Sequence, residues 1–412
     1  MELHSSDGRL RTKIEIDRVV TSAPGKVLMT GGYLILERPN SGLVLSTNAR
    51  FYAIIKPLHH EIKSDSWAWA WTDVRLTSPQ LSREALYKLA LTNLDIQTVS
   101  SRHVFRFRLI VSPDTRNPFV EYAVQYSVAA AYATFDQSKK EVLHKLLLQG
   151  LDITILGSND FYSYRNEIER RGLPLTPESL ASLPPFSSIT FNADGADGGN
   201  CKPEVAKTGL GSSAAMTTAV VAALLHYLDV VKLSSSKDYR ERKDVADLDM
   251  VHKIAQTAHC ISQGKVGSGF DVSSAVYGSQ RYVRFSPEVI SSTQIADKAV
   301  PLPDVLTEIV RGKWDHDTIE FSLPPLMTLL LGEPGTGGSS TPSMVGAVKK
   351  WQKSDPQKSL DTWRKLSEAN SALEMQLNLL SKLAKEQWNA YKSVIESCSI
   401  LRSDKVFLGN QL

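Results

Sequence analysis

A glycine-rich segment at residues 207–215 has the residue types needed to bind a phosphate. It reads Lys-Thr-Gly-Leu-Gly-Ser-Ser-Ala-Ala, and its two glycines let the backbone turn so tightly that successive N–H groups point at one spot. The apolar run over residues 214–228 predicts a buried helix. Because a helix N-terminus attracts anions, the segment indicates a nucleotide phosphate site, to which Lys207 can add a positive charge. The alternative is a structural turn in front of a core helix.

The same segment lacks the features of two common nucleotide-binding motifs. No lysine follows its second glycine, Gly211, so the P-loop of the NTPases is absent. The spacing also fails to match G-x-G-x-x-G with an acidic residue about 20 positions later, which argues against a Rossmann dinucleotide site. A phosphate site here must therefore be of another kind.

A lysine near the N-terminus is the second candidate for phosphate chemistry. Lys26 follows Ala-Pro-Gly at the end of a β-prone run that starts at Val19, and we expect the Pro-Gly pair to force a turn there. A lysine held on a tight turn after a strand is well positioned, and a positioned ammonium can offset the charge of two phosphates that approach each other. The alternative is a surface lysine in a turn.

An aspartate after a flexible loop is the third candidate. Asp271 follows Gly-Ser-Gly-Phe and precedes small residues that permit close packing. A carboxylate so placed can orient the lysine, bind Mg²⁺ through water or accept a proton. The alternative is a turn residue or a helix N-cap.

Composition excludes several classes of function. The 412 residues include 47 basic and 44 acidic ones, a balance that gives no reason to expect nucleic acid or membrane partners. The three cysteines are widely spaced and form no metal or disulfide pattern (Cys201, Cys260, Cys398). No signal core or apolar run of about 20 residues is present. We therefore expect a soluble intracellular protein of undetermined oligomeric state.

Hydrophobic periodicity predicts a mixture of strands and helices. We predict strands at residues 19–23, 42–58, around Trp67, Trp69 and Trp71, and at 102–111, 151–155 and 327–331. We predict helices at residues 120–135, 214–228, 248–263, 342–353, 359–383 and 385–401. Residues 159–171, 172–200 and 301–325 are expected to be a polar connection, a long surface loop and a poorly defined link.

Four segments together resemble the GHMP family of small-molecule kinases. They are residues 22–34, 207–215, 258–271 and 334–341, and the last of them reads Pro-Gly-Thr-Gly-Gly-Ser-Ser-Thr. The resemblance runs from about residue 20 to about residue 403. Within the family, the segments are most similar to the eukaryotic, plant-like branch that acts on 5-phosphomevalonate.

This resemblance implies an α+β fold of two domains. The N-terminal domain, residues 16–300, would be like the second domain of ribosomal protein S5 and would contain the surface loop at 172–200. The C-terminal domain, residues 320–412, would be ferredoxin-like. Residues 1–15 would be a flexible tail. The family has a further glycine-rich segment near its C-terminus that residues 406–412 do not match, so we expect this domain to be incomplete.

The resemblance also implies roles for individual residues. ATP would lie between the domains, with its phosphates bound by Lys207, Gly209, Leu210, Gly211, Ser212, Ser213, Ala214 and Ala215. Ser213 would reach Mg²⁺, and Lys26 and Asp271 would face the transferred group. Tyr33, Ser339, Ser340 and Thr341 would lie on the acceptor side. His259 stands where many members have a glutamate that helps to hold Mg²⁺, and it is either a ligand or a packed core residue.

The implied reaction is ATP-dependent phosphorylation of 5-phosphomevalonate to 5-diphosphomevalonate, in isoprenoid synthesis. One alternative is a hydroxyl acceptor such as mevalonate or a sugar, although Gly31-Gly32-Tyr33 replaces the G-E-H found in kinases of that kind. A second alternative is a shortened nucleotide-binding form with little turnover. We expect a cytoplasmic location, with the peroxisome as the alternative.

Overall fold

The structure is a computed structural model that describes residues 18–59, 70–99, 116–189, 206–233, 242–291, 300–332 and 341–404. Several sequence predictions fall outside these ranges: the tail at 1–15, Trp67, Trp69, the strand at 102–111, residues 190–200, Ser339, Ser340 and the final residues 406–412.

A mixed sheet forms the centre of the molecule. Its eight strands are β1 (Val19–Leu28), β2 (Ser41–Pro57), β3 (Trp71–Ser78), β4 (Arg83–Ala90), β5 (Ile96–Thr98), β6 (Leu151–Gly157), β7 (Gln280–Val283) and β8 (Asp317–Glu320). Their order is β5-β4-β3-β6-β2-β7-β8, and β1 pairs with β2. Neighbours are antiparallel except β3 and β6, which are parallel. The described chain therefore has the expected α+β character.

Helices pack on the sheet and extend beyond it. They are α1 (Pro118–Thr134), α2 (Gln137–Leu148), α3 (Arg165–Arg170), α4 (Pro177–Ala181), α5 (Ser212–Tyr227), α6 (Arg242–Gln263), α7 (Phe270–Tyr277), α8 (Leu302–Arg311), α9 (Thr341–Ser354), α10 (Pro356–Glu386) and α11 (Trp388–Asp404). The helices predicted from periodicity are confirmed, with ends that differ by several residues at most. In the described residues, no helix has the length and apolar character needed to cross a bilayer.

Helix α5 is the centre of the helical layer. Its Ala, Val and Leu side chains are buried on nearly all sides, because the helix lies between β1 and β2 below it and α1 and α6 beside it. Small residues such as Ala219 and Ala223 allow these neighbours to approach closely. The N-terminus of α5 is therefore held at a fixed place against β1.

The expected turn at Pro24 and Gly25 is wrong. Strand β1 continues through both residues to Leu28, with a break in register where Pro24 pairs with Arg50 but Lys26 pairs with Ser46. Proline is tolerated here because, among the described strands, β1 pairs only with β2, so the other side of β1 needs no ladder partner from them. Lys26 therefore projects from an irregular strand and not from a turn.

Three connecting segments contain more structure than their composition indicated. Residues 159–171 hold a 3-10 helix, Asn159–Phe161, and α3. Residues 172–189 include α4 and bury Leu183 and Ile189, so this part of the expected surface loop is packed against the core. The expected link at 301–325 contains α8, which packs on α1, and β8, which pairs with β7.

The strand predicted at residues 327–331 is wrong. These residues lie outside any strand, and the side chains of Leu329, Leu330 and Leu331 are exposed. An apolar run forms a strand only where a neighbouring strand offers backbone partners, and the sequence does not say whether one is present.

The C-terminal helices dock on the sheet through α10. Leu377 packs against Leu43, Leu45 and Phe321, and Arg281 of β7 makes a 3.0 Å ion pair with Glu374. Described residues 341–404 are almost entirely helical, so the proposed ferredoxin-like character and the domain boundary at 320 stay predictions.

We expect Leu377→Ala to lower the free energy of unfolding by about 2–4 kcal/mol, since it leaves a cavity between α10 and the sheet. Leu379→Ala, on the same helix, should change it by less than about 0.5 kcal/mol. The side chains are 4% and 56% exposed, respectively. Urea denaturation of both variants checks this, and equal losses would contradict the docking described here.

Candidate active site

The glycine turn before α5 exposes backbone N–H groups. Gly209 and Gly211 have φ angles of +83° and +76°, a left-handed conformation that favours glycine. Gly211 caps α5 without any side-chain hydrogen bond. An intrahelical bond runs from the Ala215 N–H to the Gly211 carbonyl. The N–H groups of the first turn, from Ser212 onward, are therefore oriented to bind an anion.

The buried side chains beside this turn hold it in place. Leu210, Ala214 and Ala215 are buried in the main core. They therefore offer a phosphate only their backbone. Ser212 and Ser213 remain partly exposed and bring two hydroxyl groups to the start of the helix.

Lys26 is joined to the glycine turn twice. Its backbone N–H donates to the Leu210 carbonyl at 2.9 Å, and its Nζ donates to the Gly209 carbonyl at 3.0 Å. The ammonium also lies 5.5 Å from the centre of the Phe270 ring, close enough for a cation–π contact. The irregular part of β1 thus fixes a lysine at the N-terminus of α5.

Burial changes the acidity of this lysine. It lowers the pKa of Lys26 from the ordinary 10.5, and the negative charge of Asp271 opposes this by raising the pKa. Lys26 is half-buried, so its ammonium is screened by water less than one in bulk solution. Lys26 and Asp271 are therefore electrostatic neighbours at the same site.

Asp271 lies in the first turn of α7, after Gly269, which has a φ angle of +81°. One carboxylate oxygen accepts from the Val272 N–H at 3.0 Å, and the helix N-terminus stabilises its negative charge. The other oxygen lies 4.0 Å from His259 Nδ1. Asp271 is thus a helix-terminal carboxylate that faces both the lysine and a buried histidine.

A cavity of about 320 Å³ opens beside the glycine turn. Lys207, Ser212 and Ser213 lie at its edge, and much of its lining is apolar, including Leu76, Ile155 and Met216. Lys207 itself is exposed and pairs with Tyr162 in an isolated β-bridge. The cavity has an apolar body next to a charged end, which suits a nucleotide.

Sequence reasoning missed several residues of this cavity. Arg83, Arg116 and Asn117 line it, and Arg116 is also paired with Glu121 at 2.6 Å. No motif marks these residues, because they come from β4 and from the start of α1, far apart in the chain. Only the fold brings them to the glycine turn.

The predicted acceptor residues are less well defined. Tyr33 is half-buried in a 3-10 helix, Gly32–Leu36, that follows β1. Thr341 is the first residue of α9. Ser339 and Ser340 fall outside the described residues. Their part in binding an acceptor stays a prediction.

The sequence of the chain is similar to those of known proteins. Residues 202–279, which include the glycine turn, α5, α6 and α7, match the GHMP kinases N terminal domain. The chain is 67% identical to the peroxisomal phosphomevalonate kinase of Arabidopsis thaliana, over 94% of this chain and 74% of that relative.

The chain belongs to the GHMP kinase family. A second member, phosphomevalonate kinase erg8 of Aspergillus fumigatus, is 32% identical over 88% of this GHMP kinase and 72% of that relative. Among solved structures, a Lin0012 protein from Listeria innocua matches with a TM-score of 0.50 and 17% identity, over 88% of this chain and 73% of that one. This last likeness shows a shared fold.

Substitution of Gly211 tests whether the turn positions the lysine. A Cβ at Gly211 would lie 2.9 Å from Lys26 Cε, so Gly211→Ala should displace the ammonium and lower the kinase turnover at least about tenfold. Gly264 also has a positive φ, and a Cβ added there would have no neighbouring atom within 4 Å. Gly264→Ala is therefore the control, because it adds the backbone strain of a positive φ, about 1 kcal/mol, without a steric clash. Similar losses of turnover in both variants would contradict the positioning role.

The lowered pKa of Lys26 predicts an alkaline limit to the activity. If the protonated amine is needed, kcat/KM should fall with an apparent pKa below 10.5. Asp271→Asn removes the charge that raises the pKa of Lys26, so the alkaline fall in kcat/KM should move to lower pH. A pH–rate profile of both proteins checks the shift, and an unchanged or higher alkaline limit in the variant would exclude the coupling.

Proposed function

We infer that this chain transfers the γ-phosphoryl group of ATP to 5-phosphomevalonate, giving 5-diphosphomevalonate and ADP. The observation that carries this inference is the meeting of Lys26 with the glycine turn before α5, in a chain closely similar to phosphomevalonate kinases. An ammonium at a helix N-terminus suits a reaction in which two phosphates must approach each other.

The nucleotide occupies the crevice next to the glycine turn. Its phosphates accept hydrogen bonds from the N–H groups at the start of α5, and Lys207 adds a positive charge at the mouth. The apolar cavity lined by Leu76, Ile155 and Met216 takes the base. This arrangement leaves the γ-phosphate near Lys26.

The acceptor supplies its own activated nucleophile. A phosphate monoester has a second pKa of about 6, so at neutral pH it is largely a dianion and needs little help from a general base. One of its oxygens forms a bond to the γ-phosphorus as the bond to the β-phosphate oxygen breaks, and ADP leaves with that electron pair. The described site therefore has to supply positioning and charge more than proton transfer.

Charge repulsion is the main obstacle to this step. Two unit negative charges about 4 Å apart cost roughly 4 kcal/mol at an effective dielectric constant of about 20. Lys26 lowers this repulsion because its ammonium is fixed by the Gly209 carbonyl. The negative charge of Asp271 raises the pKa of Lys26 and so favours the protonated amine.

The oxygen donors of the site fit Mg²⁺. This ion usually takes one or two protein oxygens and completes its shell with phosphates and water. The Ser213 hydroxyl would hold it directly and the Asp271 carboxylate through water. The described residues offer no cluster of three or more His, Cys, Asp or Glu for a metal. When bound, Mg²⁺ neutralises charge on the β- and γ-phosphates.

The name of one relative bears on the location of this chain. The Arabidopsis thaliana relative is named as a peroxisomal enzyme. That name supports the peroxisome, beside the cytoplasm, as a location for this chain.

An ADP-release assay with several acceptors tests the proposal. With Mg-ATP, 5-phosphomevalonate should support turnover, while mevalonate and galactose should not. Lys26→Ala should lower kcat with 5-phosphomevalonate by about 10²–10³-fold. Asp271→Asn should lower it less than about tenfold, because a dianionic nucleophile needs no base. If Asp271→Asn is the more damaging change, or if an alcohol is the better acceptor, the proposed acceptor is wrong.

A further inference from the structure

His259 lies between the two helix N-termini of the site, and the mechanism above gives it no role. It belongs to α6 and is 2% exposed. Its ring lies 5.5 Å from the ring of Phe119 on α1, so the imidazole is held by packing as well as by polar contacts. The sequence left two interpretations open for this residue, a metal ligand or a packed core side chain.

Polar groups face both nitrogens of the His259 ring. Nε2 lies 3.2 Å from the Ser213 hydroxyl and 3.1 Å from the side-chain amide nitrogen of Gln263. Nδ1 lies 4.0 Å from a carboxylate oxygen of Asp271. Both ring nitrogens of His259 therefore approach polar groups in the first turns of α5 and α7, which packing alone does not require.

These contacts define the proton position on the ring. The Gln263 side chain turns its amide nitrogen toward Nε2, and because an amide nitrogen can only donate, Nε2 accepts in this arrangement. A ring nitrogen that accepts a hydrogen bond carries no proton, so the proton of the ring is on Nδ1, which lies 4.0 Å from a carboxylate oxygen of Asp271. The Ser213 hydroxyl then shares the Nε2 lone pair as a second donor, and both oxygen lone pairs of Ser213 stay available on its other side.

We propose that His259 is a positioning residue for phosphoryl transfer, whose ring holds the Ser213 hydroxyl and the Asp271 carboxylate in a fixed relation. The proposal rests on the function inferred above. Ser213 belongs to the helix that receives the phosphates, and Asp271 belongs to the helix that faces the lysine. His259 of α6 contacts both of these helices through the two nitrogens of its ring.

Kinetics of three His259 variants test this role with Mg-ATP and 5-phosphomevalonate. His259→Leu removes both polar contacts and should lower kcat about 10–100-fold, with each KM changed less than about threefold. His259→Gln places an amide near the position of Nε2 and His259→Asn places one near Nδ1. Each should recover part of the loss, since each restores one contact.

A matched control is present on the same helix. His252 is also fully buried, and among the described residues neither of its ring nitrogens has a hydrogen-bond partner. His252→Phe should leave kcat within about twofold of wild type. An equal loss in His252→Phe and His259→Leu would show a general packing effect and overturn the proposal, as would a kcat for His259→Leu within twofold of wild type.

A spectroscopic measurement separates this proposal from the proposed function. The full chain is labelled with ¹⁵N-histidine, and the signals of His259 are identified by their loss in His259→Gln. Their chemical shifts should report a neutral ring protonated at Nδ1. Ser213→Ala should shift the Nε2 signal. A ring protonated at Nε2, or no response to Ser213→Ala, would overturn the positioning role even if His259→Leu fails to fold. If wild type releases no ADP with 5-phosphomevalonate, the proposed function fails and the ring signals still decide the role of His259.

Discussion

The attachment of Lys26 to the glycine turn is the interaction on which the site depends. Two hydrogen bonds, one from the backbone and one from the ammonium, join an irregular strand to the start of a buried helix. Neither partner could hold this geometry alone, because a lysine side chain in water has many rotamers and a glycine turn has few constraints. Together they place a cation beside N–H groups that already attract anions.

The strand irregularity explains how this attachment forms. Between Pro24 and Lys26, β1 loses its regular pairing with β2, and the Lys26 N–H bonds to the Leu210 carbonyl of the glycine turn. A Cβ at Gly25 would lie 3.0 Å from that same carbonyl, so a residue without a side chain is needed where the strand meets the turn. The Pro-Gly pair thus serves a close contact within a strand and not a reversal of the chain.

Helices α5 and α7 have the same kind of N-terminus, and it suits anionic ligands. Each begins at a glycine with positive φ, Gly211 or Gly269, and neither N-cap has a side-chain hydrogen bond. Their first turns meet through His259 of α6. A layer of buried, close-packed helices is stiff, and this stiffness holds the two N-termini at a constant separation.

The sequence by itself determined which segments are candidates for the site and where most of the helices lie. Gly209, Gly211, Lys26 and Asp271 stand in segments that together resemble one kinase family, although each segment alone had a structural alternative. The helix at 214–228 follows from an apolar run too long for a strand. Only the tertiary structure decided that the Pro-Gly pair stays in β1, that residues 317–320 join the sheet, and that residues 327–331 do not. Strand pairing depends on backbone partners that are distant in the chain, and local sequence carries no record of them. The same reason explains why the contacts of His259 could not be predicted. Ser213 is 46 positions before it and Asp271 is 12 positions after it, and only the packing of α5, α6 and α7 brings these three residues together.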